Sequence, residues 1–369
     1  MSEPRFGIWV PVYGPWGARH HPEEPSQPSY ARSLRVVQQA EELNFEVALL
    51  AQHMINPMNN DFDQLETWSA SAALAQATKR IEIMGAVKPF FFHPAVLAKI
   101  ALGIDAISQG RFSINLISGW YLTEMEQAGL AVRGHGDRYR FSREWIRIVK
   151  ALWNEETVTH DGEWFQIKGL HLHPGPVAKP RPLVYLGGES EPARSLAADE
   201  ADVYLINGRP VELIREIVAD MVRRPRGLPA PLRYGMAAFV IARPSEREAA
   251  EEFEHLSRLA APDDYRKLLT GVDPEVVMFK TFANGPRGVG TNGGTSARLV
   301  GDYDTVARRV AEFIDAGIET FLLQFQPFER EMRVFAEQIM PRVHDLRLGR
   351  PYEITNHQGS AALTNTGSN

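Results

Sequence analysis

The chain contains no cysteine and no apolar run that approaches the ~20 residues of a membrane-spanning helix. Disulfides and thiolate metal sites are therefore excluded. The start of the chain has no basic segment followed by an apolar one, so it does not predict a secretory signal. The net charge is −6 and basic residues do not cluster, which argues against nucleic acid as a partner. We expect a cytoplasmic protein that binds neither nucleic acid nor a membrane.

Motifs of several enzyme classes are missing too. The chain has no nucleophile elbow, HExxH, Walker A or paired-carboxylate signature. His20 and His21 have no acidic residue at a matching spacing, so we expect a surface loop there and no metal site. Any chemistry is therefore expected to come from a bound cofactor, with the protein supplying its position and a dry environment.

The segment RFSINLISGW at residues 111–120 is the most informative candidate strand. Its apolar residues follow a Ser-Gln-Gly turn and predict a strand buried on both faces of a parallel sheet. Asn115 lies within that run, where an unpaired amide costs about 1–3 kcal/mol. Pairing with neighbouring backbone is the simpler interpretation of these residues taken alone. Near the carboxyl end of a barrel strand, however, a polar residue often faces the functional site.

Short apolar runs alternate with helical patterns along the chain, which predicts a parallel sheet covered by helices. The candidate strands are residues 6–12, 45–51, 81–87, 111–120, 183–186, 203–206, 234–242 and 320–324, and the clearest helices are 30–43, 65–77 and 94–108. Eight strands with helical connections predict an α/β fold, the (β/α)8 TIM barrel. A doubly wound open sheet is the alternative, but no GxGxxG follows the first strand.

Two insertions interrupt the alternation. Residues 158–167 predict a β-hairpin after the fourth helix, with Asp-Gly near its centre. The longer insertion, residues 245–300, lies between strands 7 and 8, and its glycines at 284–295 (NGPRGVGTNGGT) predict a mobile lid. A surface loop without a role is the alternative. We place the barrel domain at residues 1–346 and a polar C-terminal tail at 347–369.

Candidate binding residues lie at the start of two helices. Gly187, Gly188 and Ser190 follow strand five, a combination that suits an anion, although Ser190 is equally typical of an ordinary helix cap. Arg138 and Tyr139 begin another helix, where an Arg can grip a phosphate, and solvated surface is the alternative. Neither pattern is decisive alone.

Three further residues lie just past strands on the face where barrel enzymes keep their active sites. His53 follows strand two, and Trp120 and Glu124 follow strand four. Ordinary loop or first-turn positions are the alternative for each of them.

Taken as a set, these motifs resemble the luciferase-like flavin monooxygenases. RFSINLISGW, Glu124 and the Asp-Arg-Tyr at 137–139 are similar to the branch containing alkanesulfonate monooxygenases, dimethyl sulfone monooxygenases and pyrimidine oxygenases. Residues 185–210 resemble the phosphate loop and next strand of that branch, and residues 299–323 resemble its final helix and strand. The likeness covers nearly the whole barrel.

The resemblance implies a two-component enzyme that receives reduced FMN (FMNH2) from a separate NAD(P)H-dependent flavin reductase and activates O2 as a flavin peroxide. Asn115 would lie near the reactive nitrogen of the flavin, with His53 and Trp120 as the other catalytic candidates. The residues expected to bind the cofactor are Gln52, His53, Asn115, Glu124, Arg138, Tyr139, Gly187, Gly188 and Ser190. We expect a homodimer or homotetramer.

Three positions depart from the alkanesulfonate enzymes. An Arg and a His of their strand seven correspond here to Ala237 and Phe239, and an Arg of their lid to Asn292. Without those cations a sulfonate would be poorly compensated in a dry pocket. A small neutral substrate is therefore expected, an organosulfur compound or a heterocycle cleaved at a C–S or C–N bond. The alternatives are an F420-dependent hydride-transfer oxidoreductase and a non-catalytic flavin-binding protein.

Overall fold

The structure, a computed structural model, describes residues 3–12, 21–25, 27–57, 61–154, 157–260, 271–277 and 289–349. Its strands are β1 (Arg5–Trp9), β2 (Val47–Leu50), β3 (Glu82–Val87), β4 (Phe112–Leu116), β5 (Val158–Asp161), β6 (Gln166–Leu170), β7 (Leu183–Gly187), β8 (Val203–Ile206), β9 (Arg233–Phe239), β10 (Ile241–Arg243), β11 (Val300–Asp302) and β12 (Ile318–Gln324). Its helices are α1 (Tyr30–Glu42), α2 (Thr67–Ala77), α3 (Pro94–Ser108), α4 (Leu122–Gln127), α5 (His135–Asn154), α6 (Glu191–Glu200), α7 (Val211–Arg223), α8 (Glu246–Ala260), α9 (Tyr303–Asp315), α10 (Phe328–Val334) and α11 (Met340–Arg347).

Eight of the strands close into one parallel barrel, which confirms the predicted fold. The order around the barrel is β1, β2, β3, β4, β7, β8, β9 and β12, and β12 pairs with β1 to close it. In the closing registers Gly7 lies opposite Val47 of β2, and Phe6 lies opposite Phe321 of β12. Each barrel strand pairs with the next one along the chain, as connections through outer helices require.

The seventh barrel strand is shorter than the segment 234–242 suggested. β9 ends at Phe239, and β10 then pairs in parallel with β11 outside the barrel. Val240 N donates to Gln324 O at 3.1 Å, whereas Ile241 N donates to Leu299 O at 2.9 Å. Both stretches are buried, so the apolar run continues across the change of partner and conceals it.

Local capping explains where the first helices begin and end. The Ser29 side chain accepts a hydrogen bond from Arg32 N at 3.2 Å and caps α1. Pro94 opens α3, where a missing N–H costs nothing, and Gln109 ends it in the left-handed region at φ 57°. Within the described part of the chain, no helix is both long enough and apolar enough to cross a membrane.

The barrel interior is closed by a polar plug at its amino end. Nη2 of Arg5 donates to Oε2 of Glu82 at 2.9 Å, and Nη1 donates to the Tyr185 hydroxyl at 3.2 Å.

Asn115 lies in register with Ala86 of β3 and Tyr185 of β7. Residues in register share one face of a sheet, so Asn115 faces the interior with them.

The shorter insertion is the predicted hairpin, with β5 and β6 antiparallel. The predicted lid stays a prediction, because residues 284–288 lie outside the described part of the chain. Residues 289–295 pack on the barrel: Thr291 N donates to Gln324 Oε1 at 3.0 Å. Gly293 has φ +89°, and a Cβ there would lie 2.1 Å from Gly208 O. Of the predicted tail at 347–369, the structure describes only residues 347–349.

Candidate active site

A cavity of about 1140 Å³, counting the part open to solvent, lies where the carboxyl ends of the barrel strands converge. This is the face on which barrel enzymes build their sites. Eight of the predicted site residues line it: Gln52, His53, Asn115, Trp120, Tyr139, Gly187, Gly188 and Ser190. The other two, Glu124 and Arg138, are buried behind the wall and contact residues that line it.

Asn115 carries a buried oxygen that pairs with none of the residues that the structure describes. Its side chain is 4% exposed, and Oδ1 meets no donor among the residues that the structure describes. A Cβ on Gly187 would lie 3.9 Å from this oxygen and 3.2 Å from Ile117 Cδ1, so the wall beside Asn115 favours glycine at this position. Pairing with neighbouring backbone therefore does not account for Oδ1. Because an unpaired buried acceptor costs about 1–3 kcal/mol, a ligand that brings an N–H donor would be stabilised here.

Three ionisable side chains form a buried cluster beside the cavity. Nζ of Lys88, just past β3, forms an ion pair with Glu124 and lies 3.0 Å from Nδ1 of His53. Oε2 of Glu124 lies 3.3 Å from the same ring nitrogen and accepts from Met54 N at 3.1 Å. Gln52 Oε1 accepts from Lys88 N at 2.6 Å. Both buried charges are thus compensated inside the protein, as burial of ions requires.

Burial and mutual interaction set the protonation states of this cluster. Burial and the Lys88 cation lower the pKa of His53 to about 4, so its ring is neutral at pH 7. Burial alone would raise the pKa of Glu124, but Lys88 and His53 lower it to about 2. Burial also lowers the pKa of Lys88, against the attraction of Glu124. Nδ1 of His53 thus faces both the Lys88 ammonium, which only donates, and the Glu124 carboxylate, which only accepts.

Another part of the cavity is formed by the turn before α6. Gly188 has φ +134°, and a Cβ there would lie 2.9 Å from Ala193 Cβ, so the turn requires glycine. Ser190 holds the N-cap position, yet its side chain makes no capping hydrogen bond. Its Oγ instead lies 3.1 Å from Nε2 of His135. Pro192 has no N–H and Arg194 N donates to Ser190 O at 3.0 Å, so the N–H groups at this helix start that an anion could use are those of Glu191 and Ala193.

His135 connects the turn before α6 to the long insertion. Its Nδ1 lies 2.6 Å from Oδ2 of Asp273, which also forms an ion pair with Arg138. Arg138 donates from Nε to Ser118 O at 3.2 Å and from Nη1 to Arg133 O at 2.8 Å. Burial opposes ionisation of Asp273, but His135 and Arg138 lower its pKa. Arg138 is therefore engaged with protein groups, and His135 presents its ring to the cavity.

Three side chains of this site were missed from the sequence: Lys88, His135 and Asp273. Lys88 is a cation at the end of an apolar strand. Like Asn115, it is a polar residue near the carboxyl end of a barrel strand, which indicates the functional site. His135 lies four residues before Tyr139, so the two share one face of α5, and their rings are 5.1 Å apart. Asp273 gives no comparable signal, because only the folded insertion brings it to the barrel.

The model of a family described as luciferase-like monooxygenase matches residues 5–320. The chain belongs to that family. The match extends from β1 into β12, so it covers the barrel and confirms the resemblance drawn from the motifs.

Individual monooxygenases are similar to this chain over nearly its whole length. An FMNH2-dependent dimethylsulfone monooxygenase of Pseudomonas putida is 29% identical over 363 residues, covering 95% of this chain and 98% of that protein. EDTA monooxygenase from Chelativorans sp. BNC1 has a TM-score of 0.76 at 17% identity, covering 95% and 99% of the two chains. DmoA from Hyphomicrobium sulfonivorans has a TM-score of 0.74 at 18% identity, covering 95% and 90%. At such identities the two solved structures support the fold alone.

Proposed function

We propose that this luciferase-like monooxygenase binds reduced FMN, supplied by a separate flavin reductase, and uses O2 to oxidise a small neutral organosulfur or heterocyclic molecule. The observation that carries the proposal is the unpaired Oδ1 of Asn115, buried in a cavity that Ser190, at the start of α6, also lines. A flavin mononucleotide matches both features, because its ring carries N–H groups and its side chain ends in a phosphate. The FMNH2-dependent relative in Pseudomonas putida supports the same cofactor.

The phosphate would be held by the turn before α6 and by side chains of α5. Ser190 and His135 bring a hydroxyl and an imidazole 3.1 Å apart, next to the backbone N–H groups of a ten-residue helix. Burial raises the pKa of Tyr139, which lines the same cavity, so its hydroxyl keeps its proton and can donate. In this proposal Arg138 acts indirectly, by holding Asp273 and through it His135.

The ring system would lie over the apolar interior of the barrel. Leu49, Ala86, Ile117 and Leu322 line that part of the cavity beside Asn115. The amide of Asn115 offers one acceptor and two N–H donors, so it can hold a ring N–H while donating to a neighbouring oxygen atom. The bound reduced flavin supplies the electrons for oxygen chemistry. The protein supplies a preorganised dipole and a wall that excludes water.

The absence of a spare cation favours a neutral substrate. Among the lining residues that the structure describes, Lys88 is the only lysine or arginine, and it is paired with Glu124. Ala237 and Asn292 line the cavity at the positions where the alkanesulfonate enzymes have arginines. A sulfonate would therefore be buried without compensation, whereas a sulfone or an uncharged ring would not.

The test supplies the protein with FMN, an NADH-dependent flavin reductase, O2 and dimethyl sulfone. We expect tight binding of reduced FMN and a product that appears only when protein, reductase and sulfone are all present. Oxidation of reduced F420 without O2 uptake would favour the hydride-transfer alternative. FMN binding without any product, across sulfones, lactams and pyrimidines, would favour a flavin-binding protein.

A further inference from the structure

A second, smaller cavity of about 420 Å³, counting the part open to solvent, adjoins the first cavity and shares Trp9 with it. It lies at the carboxyl ends of β1, β9 and β12. Phe239, Phe325 and Phe328 provide aromatic walls, and no lining residue that the structure describes carries a charge. The cavity is therefore suited to a small uncharged molecule with apolar groups.

Two N–H groups in its lining residues meet no acceptor among the residues that the structure describes. Nε1 of Trp9 and Nε2 of Gln326 are buried and meet no acceptor within the described part of the chain. Gln326 is 3% exposed, so solvent does not readily satisfy its amide. An indole N–H can only donate, and a side-chain amide nitrogen can only donate. A ligand that satisfies them must bring acceptor atoms.

The neighbouring glutamine shows the contrast. Oε1 of Gln324 accepts from Thr291 N at 3.0 Å and from Thr291 Oγ1 at 3.2 Å, and its Nε2 donates to Thr291 O at 3.2 Å. Both the oxygen and the nitrogen of this amide therefore fasten the Gly-rich turn to β12. Gln326, two residues later, has no such partner for its nitrogen among the described residues.

The aromatic wall is held in place by close packing. Gly290 has φ +88°, and a Cβ there would lie 2.7 Å from Cδ2 of Phe239, so this glycine lets the turn lie directly on the ring. Phe325 and Phe328 meet edge to face with ring centroids 5.7 Å apart. The cavity is therefore preformed rather than created by collapse around a ligand.

We propose that this smaller cavity is the substrate subsite, and that it takes a small neutral molecule whose oxygen acceptors lie between apolar groups, a dialkyl sulfone being the simplest. The sulfonyl oxygens accept from Trp9 Nε1 and Gln326 Nε2, and the alkyl groups pack on Phe239, Phe325 and Phe328. The assignment as a substrate subsite rests on the proposed function, whereas the binding preference rests on the cavity itself. A sulfonate anion is disfavoured because the cavity offers it no cation.

The test titrates dimethyl sulfone into flavin-free protein and into protein loaded with oxidised FMN, followed by ligand-observed NMR. We expect binding in both, with Gln326→Leu and Trp9→Phe each weakening it by roughly two- to tenfold, since each removes one donor. Methanesulfonate, matched in size but charged, should bind about a hundredfold or more weakly. Gln38→Leu, the same change on the exposed face of α1, should leave sulfone binding unaltered.

A second measurement does not depend on whether a variant folds. The indole N–H resonance of Trp9 in the unaltered protein should shift downfield as dimethyl sulfone is added. Any of three results would contradict the proposed subsite. They are an indole resonance that does not shift, sulfone binding that is unchanged in Gln326→Leu, and methanesulfonate binding as tight as that of dimethyl sulfone. Normal FMN affinity in that case would leave the proposed function standing. Gln326-dependent sulfone binding in a protein without FMN affinity would instead support the subsite and contradict the proposed function.

Discussion

The polar groups around the two cavities fall into two regions with opposite character. In the ionic region, Lys88 and Glu124 are buried and paired with each other. In the neutral region, Asn115, Trp9 and Gln326 each present a buried polar atom without a partner in the described part of the chain. Lys88 and Glu124 are thus satisfied by the protein itself, whereas the three uncharged side chains are not satisfied by the residues that the structure describes.

This difference indicates separate roles for the two regions. Two buried ions that neutralise each other add little net stability. Removing one of them leaves the other charge buried and unpaired, at a large cost in desolvation free energy. An unpaired dipole costs free energy until a ligand satisfies it. Substitutions in the ionic region should therefore act mainly on folding, and those in the neutral region mainly on binding and rate.

The largest effect is expected from Lys88→Met, which leaves the Glu124 carboxylate buried without its cation. The free energy of unfolding should fall by about 3–5 kcal/mol, measured by urea denaturation at pH 7. Lys79→Met, on an exposed lysine, serves as the matched control. The double variant Lys88→Met/Glu124→Leu should recover much of the loss, because no buried charge then remains. A Lys88→Met protein as stable as the control would erase the distinction between the regions.

Asn115→Leu tests the neutral region directly. Since we propose that the Asn115 amide contacts the reacting flavin, losing this preorganised dipole should lower the sulfone-dependent turnover rate by about 10²–10³. Stability should stay level or rise, because an unpaired buried oxygen is removed. Stopped-flow mixing of the reduced-flavin complex with O2, normalised to folded protein, gives the rate. If the variant is less stable than the parent but turns over at the parent rate, Asn115 stabilises the barrel and has no role in the reaction.

The ionic region also predicts how stability depends on pH. The pKa of His53 is about 4 in the folded protein against 6.5 for the free side chain, so the unfolded chain binds more protons between those values. Its contribution is complete above pH 6.5 and is lost as the pH falls toward 4. From pH 7 to pH 5 this group should cost about 2 kcal/mol of unfolding free energy. The carboxylate of Glu124 adds a loss only at lower pH, from about 4.5 downward through 2.

Urea denaturation of the parent and of His53→Asn at both pH values measures this contribution. The parent should lose more stability than the variant on acidification, by the amount given above. Equal losses in the two proteins would mean that His53 titrates normally and is not held neutral by Lys88.

The sequence predicted the barrel well because its signals are local. Each barrel strand is an apolar run bounded by turns, and periodicity finds such runs regardless of their partners. Asn115 and Ser190 were found for the same reason, since each breaks a local pattern. Contacts of the long insertion were not, because Asp273 reaches Arg138 across 135 residues of chain. Such contacts decide whether a cation is free to bind a ligand or is already paired. The sequence therefore could not show that Arg138 is paired within the protein while Ser190 remains available to a phosphate.

The smallest expected effect tests whether Ser190 or Arg138 contacts the FMN phosphate. Ser190→Ala removes a hydroxyl that we propose donates to the FMN phosphate, and a lost hydrogen bond to a charged group weakens binding by roughly ten- to a hundredfold. Its folding stability should match that of Ser69→Ala, an exposed control. Arg138→Ala should instead lower folding stability, because it leaves the Asp273 carboxylate without its ion pair. Equilibrium titration of FMN, paired with urea denaturation of each variant, separates the two outcomes. If Arg138→Ala weakens FMN binding at full stability while Ser190→Ala does neither, the phosphate is gripped by the arginine, and the division into an ionic and a neutral region fails at this end of the cavity.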